Sequence, residues 1–216
     1  MTESWRWKAA QFAERKWWQY YLKGKDSQQY KDWKLGYWQK LLQTCAHYFT
    51  WQDSFRVLDA GCGPAGIFMA LPHNELTAFD PLLQQYQQDL PHFNPLDYPW
   101  VRFQQATMED FRTSEPFDAI FCMNAINHVQ NIHKSFDALA ACAQKGTYVV
   151  VTIDAHTHTI FKHLFRLLPG DILHPQQLDV NEYQNHLLRR GFELLGTELL
   201  SHTFFFDHYM LIARKA

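Results

Sequence analysis

Near the start of the chain, apolar residues recur at helical spacing. Beyond about residue 50 the period changes to that of strands alternating with short helices. Residues 5 to 23, WRWKAAQFAERKWWQYYLK, predict a helix whose stripe holds Trp7, Ala10, Phe12, Trp17, Trp18 and Tyr21, with Gly24 at its end. A second helix is expected over about 27 to 49, with Tyr30, Trp33, Tyr37, Trp38, Leu41 and Tyr48. FRVLDA (55–60), LTAFD (76–80), VRFQQA (101–106), FDAIFCMN (117–124) and TYVVVTID (147–154) predict strands, several apolar on both faces. Between them GIFMAL opens a helix, LLQQYQQDL forms one closed by Pro91, and NIHKSFDALAACAQ forms one stopped at Gly146. This alternation is that of βαβ units, and so of a parallel sheet with helices on both faces. The segment from about 155 to 178 breaks the pattern and reads as an inserted lid. LDVNEYQNHLLRR is a helix ended by Gly191, and the last 25 residues read as two antiparallel strands. The fold class expected is therefore α/β, a doubly wound, mostly parallel seven-stranded sheet closed by a C-terminal antiparallel hairpin. Residues 1–50 form an N-terminal helical cap and residues 51–216 one compact unit.

Composition changes this picture little. With 216 residues, 47 % apolar and 19 % charged, the chain suits one soluble domain with a full core. A net charge of −2 gives no global basic field, which disfavours nucleic acid as a partner. Cys45, Cys62, Cys122 and Cys142 are widely spaced and read as reduced thiols of a cytoplasmic protein. MTESWRWKAA lacks the apolar region of a signal peptide, and no run is long enough to span a membrane. Six of the eight tryptophans lie in the first 38 residues among many Lys and Arg, a mixture that permits weak contact with a membrane surface.

The chemistry concentrates after the first strand, in FRVLDAGCGPAG. The strand ends in Asp59 and breaks into Gly61, Gly63 and Gly66. In a doubly wound sheet, ligands bind outside the carboxyl ends of the strands, where this turn sits. Glycines there let a ligand approach the backbone, with N–H groups offered to a polar or anionic group. The spacing also fits the dinucleotide pattern GxGxxG, a weak signal that a tight turn alone can explain. Asp80 strengthens it. It ends the next strand 19 positions after Gly61, where a carboxylate can accept from both hydroxyls of a ribose.

These residues resemble motif I of the class I S-adenosylmethionine-dependent methyltransferases, whose pattern is an acid followed by glycines at alternate positions. The resemblance covers about residues 52 to 154. It implies a Rossmann-like methyltransferase fold and S-adenosylmethionine as cofactor, with S-adenosylhomocysteine as product. It also implies contacts to the cofactor from Asp59, Ala60, Gly61, Cys62, Gly63, Asp80 and Pro81. QATMEDF is similar to the family's adenine-bordering loop, through Met108 and Glu109. FDAIFCMNAINHVQ places Asn124 near the methionine end and His128 in the following loop. Ala65 stands where the family often has glycine. Two other readings share the fold, a nicotinamide-dependent oxidoreductase and a cofactor-binding protein without turnover. The first suits the turn less well, because it usually lacks the acid two positions before the first glycine.

An acceptor with a proton to lose needs a base. His128 is the candidate, although a loop histidine that caps the next helix or packs under the cofactor explains it too. Trp17, Trp18 and Tyr21 are candidates for an apolar pocket taking a small-molecule methyl acceptor, with His174, near Asp171, in the lid. Core packing and a turn before Pro175 are the plain alternatives. His156, His158 and His163 have no metal-ligand spacing, so no metal site is expected. The sequence does not choose the acceptor or the oligomeric state.

Overall fold

The computed structural model describes residues 5–156, 178–202 and 206–216. Two helices, α1 (Trp5–Leu22) and α2 (Ser27–Cys45), precede the sheet. Gly24, at φ +76°, turns the chain between them, and the Asp26 carboxylate caps α2 by accepting from the Gln29 N–H at 2.9 Å. The strands are β1 (Arg56–Ala60), β2 (Glu75–Phe79), β3 (Val101–Gln104), β4 (Phe117–Met123), β5 (Ala143–His156), β6 (Phe192–His202) and β7 (Phe206–Lys215). Helices α3 (Leu83–Asp89), α4 (Ile132–Ala141) and α5 (Val180–Leu188) follow, with short 3₁₀ turns at Ile67–Ala70, Pro95–Asp97 and Ile126–His128.

The sheet order is β3-β2-β1-β4-β5-β7-β6. β1 to β5 run parallel, and β7 enters antiparallel between β5 and β6. This is the seven-stranded sheet with a closing hairpin that the alternation predicts. Because side chains alternate along a strand, each buried strand feeds two cores. Val57, Ala119, Phe121, Val150 and Ile212 pack with α2 and α3 residues such as Trp38, Leu41 and Tyr86. Leu58, Ile120, Val149, Val151 and Leu211 pack with Phe136, Leu139, Tyr183 and Leu187 of α4 and α5.

The structure departs from the sequence reading in three places. GIFMAL does not open an α-helix; only the 3₁₀ turn Ile67–Ala70 forms there. Pro72 and the few residues left before β2 give no room for more. The missing layer is supplied by α2, whose Trp38 indole N–H donates to the Ala65 carbonyl at 3.0 Å. Gly146 does not stop α4, which ends at Ala141. It sits at φ +92° within the irregular start of β5, where the β4–β5 register shifts. On α1 the inward face is Trp7, Gln11, Glu14, Trp18 and Leu22, at spacings of three or four residues, while Phe12 is 61 % and Trp17 44 % exposed. Aromatic residues stand on both faces of α1, so counting them did not locate the inner one.

α5 begins with a capping box. Glu182 N–H donates to the Asp179 carboxylate and Asp179 N–H to the Glu182 carboxylate, each at 2.9 Å. Asp179→Ala should therefore lower stability by about 1 kcal/mol. That appears as a lower urea midpoint at unchanged slope; an unmoved midpoint would mean the box is idle. Among the described residues no helix is long and apolar enough to cross a membrane. Residues 157–177 of the expected lid, with His158, His163, Asp171 and His174, lie outside the described residues, as does the side chain of His156.

Candidate active site

The carboxyl ends of the parallel strands open into a cavity of about 610 Å³, in the size range of small-molecule and cofactor sites. Its floor is the glycine turn after β1, with Asp80 and Pro81 after β2, Met108 and Glu109 after β3, and Asn124, Ala125 and His128 after β4. Its roof is α1 and α2. Gly61 and Gly63 have φ of +72° and +56°, the left-handed region that suits glycine. A Cβ on Gly61 would lie 2.4 Å from the Ala125 Cβ, so the turn and the β4 loop touch because no side chain stands between them. Gly66 has an ordinary φ of −76° but is just as confined: a Cβ there would lie 2.3 Å from Asp59 Oδ2.

Three backbone N–H groups of this turn, those of Gly61, Cys62 and Gly63, are taken up within the protein. Those of Gly61 and Cys62 donate to the Phe79 carbonyl at 2.9 and 3.0 Å, tying β1 to β2. That of Gly63 donates to Asp80 Oδ2 at 3.0 Å. The turn is therefore preformed by its own hydrogen bonds, and it leaves the Asp80 carboxylate as the polar group at the wall. Asp80 Oδ1 also accepts from the Leu82 N–H at 2.8 Å. Each oxygen keeps a lone-pair direction for a hydroxyl. Burial, and then Glu14 across the cavity on α1, raise the Asp80 carboxyl above the usual carboxylate range.

Asp59 lies beneath the turn rather than in the cavity wall. It is fully buried, its Oδ2 accepts from the Phe68 N–H at 3.1 Å, and its Oδ1 has no hydrogen-bond partner. Burial pushes its carboxyl up to about 7 against the pull of that hydrogen bond. Ala60 is likewise buried in β1 and does not line the cavity.

Of the residues singled out in the sequence, Gly61, Cys62, Gly63, Asp80, Pro81, Met108, Glu109, Asn124, His128, Trp17 and Trp18 meet at the cavity. Tyr21 does not; it stacks on Trp17 and packs toward the core. Asn124 holds φ +53°, a left-handed conformation that asparagine tolerates better than most residues, at the end of β4. Its N–H donates to Thr152 Oγ1 at 2.8 Å. Among the described residues no group of three or more His, Cys, Asp or Glu is gathered as a metal site.

Sequence reasoning missed Gln11, Glu14, Lys34, Asp154 and His208, all on the wall. Gln11 is 8 % exposed with its Oε1 unpartnered, and Glu14 accepts from the Tyr86 hydroxyl at 3.2 Å. Both were legible in principle, because they share the helical stripe of Trp7, Trp18 and Leu22. Asp154 and His208 are 54 residues apart and were not.

A family model described as "Methyltransferase domain" matches residues 28–202. No curated protein matches the sequence. Among solved structures, the chain is similar to YcgJ from Bacillus subtilis. The TM-score is 0.65 and the identity 17 %, over 84 % of this chain and 97 % of that one. It is also similar to the N-methyltransferase NodS from Bradyrhizobium japonicum WM9. There the TM-score is 0.61 and the identity 13 %, over 83 % and 94 %. A third similar structure is the Burkholderia thailandensis 1,6-didemethyltoxoflavin-N1-methyltransferase, with bound 1,6-didemethyltoxoflavin and S-adenosylhomocysteine. Its TM-score is 0.65 and its identity 13 %, over 100 % of this chain and 92 % of that one. At these identities the structural likeness is one of fold. The family match spans most of the chain, including every strand that builds the floor of the cavity, and the chain belongs to the methyltransferase-domain family.

Proposed function

We propose that the protein transfers the methyl group of S-adenosylmethionine to a small-molecule acceptor. The observation that carries this reading is the single cavity that joins the glycine turn and Asp80 to the aromatic rings of α1 and α2. The residues fit the cofactor. The Asp80 carboxylate suits a ribose diol, and Met108, Pro81 and Val129 make an apolar border for a flat base. Glu14 and Asp80 face each other across the cavity and are the carboxyl groups that a sulfonium or an ammonium group would meet, a cation there favouring their ionised forms. Gln11 Oε1 is an acceptor waiting for a donor. The Burkholderia structure, which holds a small acceptor and S-adenosylhomocysteine together, supports one cavity serving both.

Bound S-adenosylmethionine supplies a methyl group already activated by its sulfonium. The remaining work is placement. Asp80 and the glycine turn fix one end of the site, and Asn124 and His128 border the cavity at the end of β4. The rings of Trp17, Trp18 and their neighbours hold an acceptor against it. Orientation of this kind can supply up to about 7–11 kcal/mol of a barrier. The compartment we assign is the cytoplasm, on four cysteines that are all buried as thiols, with Cys62 pushed well above its ordinary value by burial.

Calorimetric titration tests the reading. S-adenosylhomocysteine should bind the wild type, and Asp80→Ala should weaken it by at least about tenfold through loss of hydrogen bonds to a charged acceptor. NADH should not bind. Heat from NADH and none from S-adenosylhomocysteine would move the protein to the oxidoreductases.

A further inference from the structure

The cavity carries a second set of polar groups that the glycine turn does not use. Lys34 on α2 is half-buried, with its Nζ 4.9 Å from the ring centre of Trp38, 5.4 Å from Tyr37 and 5.5 Å from Trp33. These ring faces attract the ammonium group, but no carboxylate among the described residues pairs with it. Burial lowers the Lys34 amine to about 8, so at neutral pH it is still a cation with donors to give.

Asp154 and His208 stand directly opposite each other in the antiparallel β5–β7 pair, which sets both side chains on one face of the sheet. His208 Nδ1 lies 2.7 Å from Asp154 Oδ1, and the two side chains are 18 % and 27 % exposed. Because the carboxylate accepts, Nδ1 carries the hydrogen in the neutral ring, and Nε2 is left as a bare lone pair. No described residue bonds to Nε2. Tyr37 joins the two sets. It borders Lys34 and feels the Asp154 charge, which adds to burial in raising its hydroxyl.

We propose that this end of the cavity takes a flat, hydroxylated aromatic acceptor, with His208 as the base that removes its hydroxyl proton and Lys34 as the cation that balances the oxygen's negative charge. The proposal rests on the methyl-transfer reading above and names the acceptor class for it. The rings of Trp7, Trp17, Trp18, Trp33, Tyr37 and Trp38 suit a flat molecule. A cationic amine would instead meet the Lys34 charge. In the step, the acceptor O–H bond breaks and its proton passes to His208 Nε2. The oxygen's electron pair forms the O–CH₃ bond. The S–CH₃ bond breaks with its electrons retained by sulfur, leaving a thioether, a methyl ether and an imidazolium that returns its proton to solvent. Glu14, Asp80, Glu109, His128 and Cys62 are the other ionisable groups on the wall, the Cys62 thiol being kept neutral by burial. Glu14 is held by Tyr86, Asp80 by the Gly63 and Leu82 N–H groups, and Glu109 by the Asn131 N–H at 2.8 Å. Their negative charge opposes ionisation of the acceptor, so Lys34 and the dyad must overcome it.

The probe is 4-nitrophenol, whose ionised form absorbs visible light, titrated into the full chain with and without S-adenosylhomocysteine. The bound dye should ionise at a lower pH than the free dye, by about tenfold or more in proton affinity for a cation and a base at hydrogen-bond range. Its methyl ether, 4-nitroanisole, should bind at least about tenfold more weakly, because it cannot satisfy the polar pair. Lys34→Met, which keeps the stem against the rings, and His208→Asn, which keeps an N–H for Asp154, should each return the bound dye toward its solution behaviour. Equal binding of dye and ether, unchanged ionisation of the bound dye, or no dye binding would each overturn the proposal. The wild-type comparison of dye and ether stands even if a variant fails to fold. Because dye binding is read separately from S-adenosylhomocysteine binding, failure here and failure of the cofactor reading are told apart.

Discussion

Gly61→Ala should cost the protein both stability and cofactor binding. At φ +72° an alanine pays roughly 1–2 kcal/mol for the left-handed conformation. Its Cβ would also fall 2.4 Å from the Ala125 Cβ, so the β4 loop must move. Overpacking of this kind adds about 1–3 kcal/mol. At roughly 2–4 °C per kcal/mol for a chain of this length, the melting temperature should drop by about 5–15 °C. The displaced loop carries Asn124 and His128 on the cavity wall, so S-adenosylhomocysteine affinity should fall by about tenfold, the loss expected from one or two hydrogen bonds or contacts. Thermal melts and calorimetry on one preparation read both. An unmoved melting temperature with unchanged affinity would show that the turn and the loop do not touch as described.

Asp59→Asn should have the opposite effect on stability, and only at high pH. Below its ordinary value of 3.8 the carboxyl is protonated whether the chain is folded or not. As pH rises, the unfolded chain ionises first, while the folded chain holds its proton until about 7. The folded state therefore binds more protons across that window, and its stability falls as pH rises through it. The full cost on this basis is about 4 kcal/mol above pH 7. Asparagine keeps an oxygen for the Phe68 N–H but leaves a buried NH₂ without an acceptor, at about 1–3 kcal/mol. Denaturant melts should then show Asp59→Asn more stable than wild type at pH 8, with the gap narrowing and changing sign as pH falls toward 4, where only the cost of the unpaired NH₂ remains. His186 occurs in both proteins and drops out of the difference. Asp80 does not, because its charge helps to raise Asp59; removing the Asp59 charge eases Asp80's own ionisation and adds to the variant's advantage at high pH. The same substitution should weaken S-adenosylhomocysteine above about pH 7, where it removes negative charge from beneath the turn. A constant gap at every pH would mean that the Asp59 carboxyl titrates alike in the folded and unfolded chain, and so is not raised by burial.

The parts of the fold that were legible were those whose pattern is local. Alternation of apolar strands with short helices predicts the sheet and its hairpin, and the acid–glycine turn with Asp80 predicts the floor of the cavity. Two kinds of feature were not legible. One is the use made of a hydrogen bond: nothing in GCG says that Phe79 and Asp80 take the N–H groups which the glycines free. The other is pairing at long range. His208 meets Asp154 through strand register, and Trp38 meets Ala65 through packing of α2 on a 3₁₀ turn, and neither leaves a mark on its own neighbours in sequence. Lys34 was visible in WKLGYW, but a lysine among aromatic residues reads equally as a solvated one until a cavity is seen beside it.

The short crossover after β1 couples two properties that many scaffolds keep apart. Here α2 covers the glycine turn through Trp38 and also lines the cavity, where we propose the acceptor sits, with Lys34, Tyr37 and Trp33. A mutation that reshapes the chamber from α2 also tests the helix that shelters the turn, and exchanging the N-terminal helices for those of a relative would alter foldability together with selectivity. Positions on β5 and β7, whose backbones are fixed by the sheet, are where new specificity can be tried at least risk to the fold.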